Sequence, residues 1–468
     1  MCGICGYSKL NEAIDKRTFD KMTDVVAHRG PDGRGVFYDN GVALGHRRLS
    51  IIDLSSEAAQ PFEYKDRYVC VFNGEIFNYI ELREELKEKG YSFKTSSDTE
   101  VLIAAYDYYG EKCVSHFNGM WAFCIYDKEK KILFCSRDRF GVKPFYYTER
   151  SGAFIFASEI KQLLLWENEN PRADIETLRR FIVLGEQDAS DKTMFFGIEQ
   201  LCGGSNLTYD IEKSTVSITK WYNASFEEEA IDYDEAKKRV RRAFDDAVRL
   251  RLRADVPVGS CLSGGIDSSA IVGAVNSMLR LQGDEKLQHT VSSCYEDKAY
   301  NEQAYLNDVL DKTKAYSHKI YPKNDDISSW IDNVIWHMDE PIGSASGYSQ
   351  WSVFKEARRA GLTVMLDGQG ADEQLAGYSQ FGLVYLVHLA SKGKIKQFFK
   401  TVKELKNNND GLRAMSTLMV TTYCFAKAVL PKCAVRLLNR FAILARKPRL
   451  YWSREWSNLL LNCNEYKK

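Results

Sequence analysis

Val258-Gly259-Ser260-Cys261-Leu262-Ser263-Gly264-Gly265-Ile266-Asp267-Ser268-Ser269 joins a short apolar run to two glycines and three serines, and then to a helical pattern. The spacing predicts a strand over Val258–Leu262, a tight loop, and a helix over Ser269–Leu281. Glycines there let backbone N–H groups approach an anion closely. The helix N-terminus adds partial positive charge, and the serine hydroxyls donate further bonds. The loop reads as a phosphate cradle, although it lacks the Gly-Lys-Ser/Thr ending of a Walker loop. A Gly-Ser turn with a helix cap is the plainer alternative.

Further along, strands and helices alternate. Thr290–Cys294, Ala315–Tyr321 and Thr363–Leu366 read as strands, with helices near Asn301–Asp311 and Asp326–His337. A helix over Tyr233–Arg253 precedes them, with Ala236, Val240, Ala243, Ala247 and Leu250 on one face. This order predicts an α/β fold, a parallel sheet with helices on both faces. Leu366-Asp367-Gly368-Gln369-Gly370-Ala371-Asp372-Glu373 follows the last strand. Two glycines and paired acids at a strand's end suit a nucleotide and metal site. Alone, the same residues read equally well as a surface loop.

The preceding residues have another character. Tyr68–Phe72, Met120–Tyr126, Lys131–Cys135 and Ala153–Ala157 are short, rich in aromatic and β-branched residues, and separated by turns. Helices are expected near Ile80–Lys89 and after Asp98, which can cap it. The pattern is α+β with layered sheets. It changes near Trp221, and Glu227-Glu228-Glu229 reads as a linker. Two domains are expected, 1–222 and 223–468.

Cys2 follows Met1 directly. A small side chain there favours removal of the methionine, which would leave a free α-amine beside the thiol. The amine titrates near ~8 and the thiol near ~8.5, so the amine can take the thiol proton. Taken alone, Cys2 reads more simply as an ordinary residue at a chain end. Four turn-like clusters accompany it. They are His28-Arg29-Gly30-Pro31-Asp32-Gly33, the arginine pair of Gly45–Asp53 before an apolar stretch, Phe72-Asn73-Gly74-Glu75-Ile76-Phe77-Asn78, and Ser97-Asp98-Thr99-Glu100. The amide of Asn73 and the N–H of Gly74 are the two donors an oxyanion hole needs. Together the clusters describe an amide hydrolase that grips an amino acid at both ends.

Both motif sets, in this order, resemble the glutamine-hydrolysing asparagine synthetase family over about residues 1–378. The resemblance implies an N-terminal nucleophile domain of class II glutamine amidotransferase type, followed by an N-type ATP pyrophosphatase domain. It implies that Cys2 attacks the amide of glutamine, with Asn73 and Gly74 holding the oxyanion. Arg48, with the backbone of Leu49, Ser50, Ile51 and Ile52, would bind the substrate carboxylate. Glu75 and Asp98 would hold its amino group. Cys261, Leu262, Ser263, Gly264, Gly265, Asp267, Ser268, Ser293, Asp367 and Gly368 match the ATP-contacting positions, with Mg²⁺ on Asp267 and Asp372. ATP would adenylate a carboxylate, aspartate in the parent reaction, and ammonia arriving through an internal channel would displace AMP.

Three departures stand out. Gln369 occupies the place of a family Glu, and a Gln cannot accept a proton as a Glu can. Cys202-Gly203-Gly204-Ser205 replaces a Pro-Gly-His turn. After Gly377-Tyr378 the likeness fades, so the C-terminus is expected to be shortened or divergent. Two other readings follow. One is amidation of a sugar carboxylate in surface polysaccharide synthesis, with Gln369 serving that acceptor. The other is a glutaminase or nucleotide-binding protein without synthetase activity.

The chain has 468 residues, 44% hydrophobic and 27% charged, with zero net charge. Residues 391–468 hold 17 Lys+Arg and 4 Asp+Glu, a balance of +13, so residues 1–390 carry −13. That basic segment suits an anionic partner, including peripheral contact with a lipid surface, or simply solvated helix faces. No nucleic-acid motif is present. Twelve cysteines, several inside apolar runs, fit buried thiols in a reducing, cytoplasmic setting. No signal peptide opens the chain. The uncharged stretch Ala414–Ala426 is too short to span a bilayer. A homodimer is left open.

Overall fold

The computed structural model describes residues 1–430 apart from 11, 151, 167–169, 226, 228, 282–287, 298–300, 323–326, 345 and 409–415. Glu228 of the expected linker, residues 414–415 and the basic segment beyond 430 lie outside the described residues.

Twelve strands build two six-stranded antiparallel sheets. The first sheet takes β1 (Gly3–Ser8), β2 (Gly33–Asp39), β3 (Val42–Arg48), β8 (Tyr146–Arg150), β9 (Ala153–Ala157) and β10 (Glu199–Gln200), in the order β10-β8-β9-β1-β3-β2. The second takes β4 (Phe62–Tyr64), β5 (Tyr68–Ile76), β6 (Gly119–Asp127), β7 (Ile132–Arg137), β11 (Ser205–Asp210) and β12 (Thr215–Lys220), in the order β12-β11-β7-β6-β5-β4. Alternation along the strands sends Ile4, Val42, Leu44 and Phe156 of one sheet against Val69, Val71, Cys124 and Leu133 of the other. Complete burial of a side chain such as Phe156 stabilises by roughly 1.5–3 kcal/mol. Helices α1 (Lys16–Asp24) and α4 (Ile160–Leu164) cover the outer face of the first sheet around Phe19, Met22 and Ile160. Helices α2 (Tyr79–Glu88) and α3 (Asp98–Tyr109) cover the outer face of the second around Leu82, Leu86 and Val101. Helix α5 (Ile175–Leu184) lies in the connection before β10.

Three local expectations are corrected. Asn73-Gly74 is not a turn: β5 continues to Ile76, with Asn73 opposite Ala122 and Gly74 opposite Trp121. Asn-Gly is a strong turn signal by propensity, and pairing with β6 overrides it. The arginine pair ends β3 rather than preceding a strand, and 49–52 form a loop. Ser97 caps α3, its Oγ accepting from the Thr99 N–H, so Asp98 is left free for another task.

The second half forms a four-stranded parallel sheet in the order β15-β14-β13-β16, from β13 (Val258–Cys261), β14 (His289–Ser293), β15 (Tyr316–Ile320) and β16 (Val364–Leu366). Helix α6 (Tyr233–Arg251) leads into it. Helices α7 (Ile266–Leu281) and α8 (Gln303–Thr313) pack on one face through Val272, Leu306 and Leu262. Helix α9 (Ile327–Met338) precedes α10 (Ser346–Arg359), which packs on the other face through Val353, Ala357 and Val291. The expected parallel sheet with helices on both faces is present.

By compactness the chain divides into Met1–Asp367 and Gly368–Lys468. The expected boundary after 222 falls inside the first unit, where Trp221 stacks on Trp121 at 5.5 Å. In the second unit α11 (Ala371–Leu375) is followed by α12 (Ser379–Ser391), α13 (Ile395–Asn408) and α14 (Thr417–Val429). The last three share a core of Leu386, Leu389, Phe398, Val402, Val420 and Cys424. Among the described residues no helix is long and apolar enough to cross a membrane.

Candidate active site

β1 starts one residue after Cys2 and runs between β3 and β9, so the thiol is held where three central strands end. Cys2 Sγ accepts from the Leu49 N–H at 3.4 Å and stands 3.6 Å from the Leu49 carbonyl. Arg29 Nε donates to the Cys2 carbonyl at 2.8 Å, and its Nη1 to Glu159 at 3.0 Å. A small cavity of about 50 Å³ opens beside Cys2, with Met1 itself among its lining residues. Arg48, Leu49, Ile51, Ile52, Asn73, Gly74, Glu75 and Asp98 all line it. Ser50 does not; its N–H is taken by Asp32 at 2.9 Å.

The lining carries charged groups of both signs. Arg48 donates from Nη1 to the Ser55 carbonyl at 2.7 Å and from Nη2 to the Asp53 carbonyl. Carbonyls orient the guanidinium without neutralising it, so it can still pair with a carboxylate bidentately. Asp98 accepts from the Ile76 N–H at 3.0 Å, and Glu75 stands nearby. Burial pushes the Asp98 carboxyl up to about 7 against the Ile76 N–H, with Glu75 and Cys2 adding to the rise. Glu75 is also raised by burial, opposed by Lys143. The side chain of Asn73 is 1% exposed, and neither its Oδ1 nor its Nδ2 has a partner. A buried amide left unsatisfied costs about 1–3 kcal/mol.

A pH dependence follows. Asp98 is raised above its unfolded value near ~3.9, so the fold retains a proton that the unfolded chain has lost. Its contribution to stability is therefore lost as pH rises from about 4 to about 7. The family resemblance assigns Asp98 to the substrate ammonium, a role that needs the ionised form. The kcat/KM for glutamine hydrolysis is expected to fall below about pH 7, and Asp98→Asn is expected to flatten that limb between pH 6 and 7. A mutant profile of unchanged shape would rule the assignment out.

The phosphate-cradle loop folds as its composition directs. Gly264 has φ +91, and a Cβ there would stand 3.1 Å from the Glu302 carbonyl and 3.2 Å from the Leu306 nitrogen. Ser263 Oγ meets Ser268 Oγ at 2.9 Å and accepts the Gly265 N–H at 3.1 Å. The loop thus holds a turn at the N-terminus of α7, with Asp267 in its first turn. Leu262 closes the strand end by donating to the Val291 carbonyl at 3.0 Å. Ser293 ends the neighbouring β14, and Asp367 follows β16 on the other side. Burial and the facing Asp367 push the Cys261 thiol up. Gly368, Gln369 and Asp372 belong to the second unit, where Gln369 is exposed and Asp372 lies in α11.

Several lining residues had no sequence signal of their own. Gln60 holds Phe72 and Thr99 together, accepting the Phe72 N–H at 2.6 Å and donating to Thr99 Oγ1 at 3.3 Å. Lys143 lines the cavity from the loop after β7. Burial lowers its amine, opposed by Glu75. It sits in an ordinary-looking Gly-Val-Lys-Pro stretch, and only the fold brings it to Cys2.

A helix-flanked double sheet with Cys2 at the head of a central strand, beside an oxyanion-type asparagine, defines an N-terminal-nucleophile amidotransferase domain joined to an ATP-using α/β domain. The comparisons agree. A family model described as glutamine amidotransferase domain matches residues 1–222, and one described as asparagine synthase matches 239–440. A Methanocaldococcus jannaschii protein assigned as glutamine-hydrolysing asparagine synthetase 2 is 39% identical over 401 residues, covering 81% of this chain and 76% of that one. Glutamine-hydrolysing asparagine synthetase 1 of Bacillus subtilis is 37% identical over 390 residues, covering 81% and 59%. Amidase chyE of Penicillium rubens is 31% identical over 408 residues, covering 81% and 60%. The chain belongs to the glutamine-hydrolysing asparagine synthetase family. It spans about three fifths of the B. subtilis and P. rubens relatives.

Proposed function

We propose that this protein releases ammonia from glutamine at Cys2 and delivers it to a carboxylate activated by ATP, with aspartate as the acceptor. The observation that carries the reading is the buried, unpartnered amide of Asn73 in a cavity lined also by Cys2, Arg48, Glu75 and Asp98. Glutamine has a side-chain amide, a carboxylate and an ammonium for these groups to meet.

With Met1 removed, the α-amine of Cys2 takes the thiol proton and the thiolate attacks the amide carbon. The oxyanion that forms is stabilised by Asn73 Nδ2 and the Gly74 N–H. Collapse expels ammonia and leaves a γ-glutamyl thioester, which water hydrolyses to glutamate and free thiol. At the second site the acceptor carboxylate attacks the α-phosphorus of ATP. Pyrophosphate leaves, and ammonia then displaces AMP to give the amide. The loop from Ser263 to Ser268 would hold the pyrophosphate.

Mg²⁺ fits the donor set. Such sites need only one or two carboxylates beside phosphate oxygens, and Asp267 offers a hard oxygen ligand in the first turn of α7. Asp372 is proposed for the same ion from its sequence context. The ion would neutralise charge on the departing pyrophosphate. The free thiols, Cys2 among them, suit a cytoplasmic location.

The test is pyrophosphate release with ATP, Mg²⁺ and ammonia or glutamine across a panel of carboxylates. Release that depends on aspartate supports the reading. Asp267→Asn should lower it by about 10²-fold or more while sparing glutamine hydrolysis. Release that needs a sugar acid instead would replace aspartate as the acceptor, a reading favoured by Gln369 standing where a Glu would accept a proton. In that case Gln369→Glu should lower activity on the sugar acid. No release with any carboxylate would defeat the synthetase half of the proposal.

A further inference from the structure

The short segment between α6 and β13 grips the glutamine cavity from outside. Asp255 bonds its wall and the residue just behind it: its N–H donates to the carbonyl of the lining residue Ile51 at 2.9 Å, and its Oδ2 accepts the Asp53 N–H at 2.8 Å. Arg253 donates to the Phe77 carbonyl at 2.5 Å and forks onto both oxygens of Glu81 at 2.6 and 2.5 Å. The guanidinium of Arg251 lies 4.7 Å from the centre of the Phe77 ring. These three residues belong to the half of the first unit that carries the phosphate loop, and none of them lines the cavity.

What Asp255 holds is a residue in the left-handed region: Asp53 has φ +57, which Asp adopts more readily than most side chains. Its carboxylate is fastened by the Ser55 N–H and hydroxyl at 3.0 and 2.6 Å, and by the Ser96 N–H and hydroxyl at 2.8 and 3.1 Å. Its N–H is fastened by Asp255, and its carbonyl in turn receives Arg48 Nη2. The Asp255 acceptor is thus one of the contacts that fix the Asp53 backbone, whose carbonyl aims the guanidinium.

We propose that Asp255 is a positioning residue for glutamine, acting through Asp53 on the Arg48 arm that receives the substrate carboxylate. The glutamine site is thereby completed by the ATP-using half of the chain. The inference rests on the reading of Arg48 as the carboxylate ligand.

Steady-state glutamine hydrolysis by the full chain tests it, with Asp255→Ala, Asp255→Asn and Arg48→Ala measured side by side. Asp255→Ala is expected to raise KM by roughly tenfold, the size of one lost hydrogen bond to a buried group, while kcat stays within about twofold. Asp255→Asn keeps an oxygen acceptor for the Asp53 N–H and is expected to restore most of the affinity. If Arg48→Ala raises KM but Asp255→Ala does not, Asp255 has no positioning role. Equal loss of kcat in both Asp255 variants, without a change in KM, would likewise make its role structural and overturn the proposal. If Arg48→Ala itself leaves KM unchanged, the glutamine reading of the cavity fails instead.

Discussion

Cys2→Ala is expected to reduce glutamine hydrolysis by a factor on the order of 10⁶, the loss seen when a nucleophile is deleted from an otherwise intact site. Alanine is small enough for Met1 still to be removed, so the chain terminus and its amine remain. The rest of the cavity needs nothing from the thiol. Its only close partners are the N–H and carbonyl of Leu49, at 3.4 and 3.6 Å. Synthesis driven by added ammonia should therefore persist. A companion variant separates thiol from amine: one extra residue before Cys2 leaves the thiol in the sequence but displaces the α-amine. It should be about as inactive as Cys2→Ala. Residual hydrolysis above a hundredth of the normal rate in correctly processed Cys2→Ala would remove Cys2 from the mechanism.

The parallel-sheet half was the more legible part of the sequence. Val258–Leu262 is a short, uncharged, largely apolar stretch with a glycine loop behind it, a strand-loop-helix signature that local sequence carries by itself. The sandwich was only half legible. β6 and β9 announce themselves by aromatic and β-branched residues, but β1 reads Gly-Ile-Cys-Gly-Tyr-Ser and becomes a strand only because β3 and β9 pair with it from both sides. Asn73-Gly74 misleads for the same reason. Its local preference is a turn, and its fate is decided by a partner strand almost fifty residues away. The candidate site divides likewise. Cys2, Arg48 and Asn73 are conspicuous because their chemistry is. Gln60, Lys143 and Asp255 are contributed by distant loops and carry no pattern that spacing or composition could reveal. Asp98 was found for its acid, while its role as a helix cap passed to Ser97. That exchange freed its carboxylate to face the cavity with Glu75.

The electrostatics explain why such a site is tolerated at all. Burial raises both the Asp98 and the Glu75 carboxyl, which weakens their mutual repulsion. Arg48 works in the opposite sense. Its charge is permanent, and two carbonyls orient it rather than cancel it. On the proposed reading, Arg48 is oriented in advance for the substrate carboxylate, while Asp98 becomes more able to hold the amino group as pH rises through about 7.

Asn73→Ala is expected to lower kcat for glutamine hydrolysis by about 10²–10³-fold, the usual cost of removing one oxyanion donor, with little change in KM. The argument rests on what Asn73 lacks. Its side chain is 1% exposed, yet both polar atoms are without partners. Truncation to alanine breaks no hydrogen bond in the resting protein and removes an unsatisfied buried amide. The thermal midpoint should therefore stay level or rise while kcat collapses, as expected where stability has been given up for function. Gly74 cannot serve as the same probe. A Cβ there would lie 2.3 Å from the Met120 carbonyl and 2.7 Å from both the Phe72 ring and the Trp121 Cα. Gly74→Ala would thus distort β5 before it reported on any oxyanion. Differential scanning calorimetry beside steady-state kinetics decides the matter. A midpoint that drops by several degrees together with kcat would make Asn73 a structural residue. Unaltered kcat would show that the oxyanion is held by other donors.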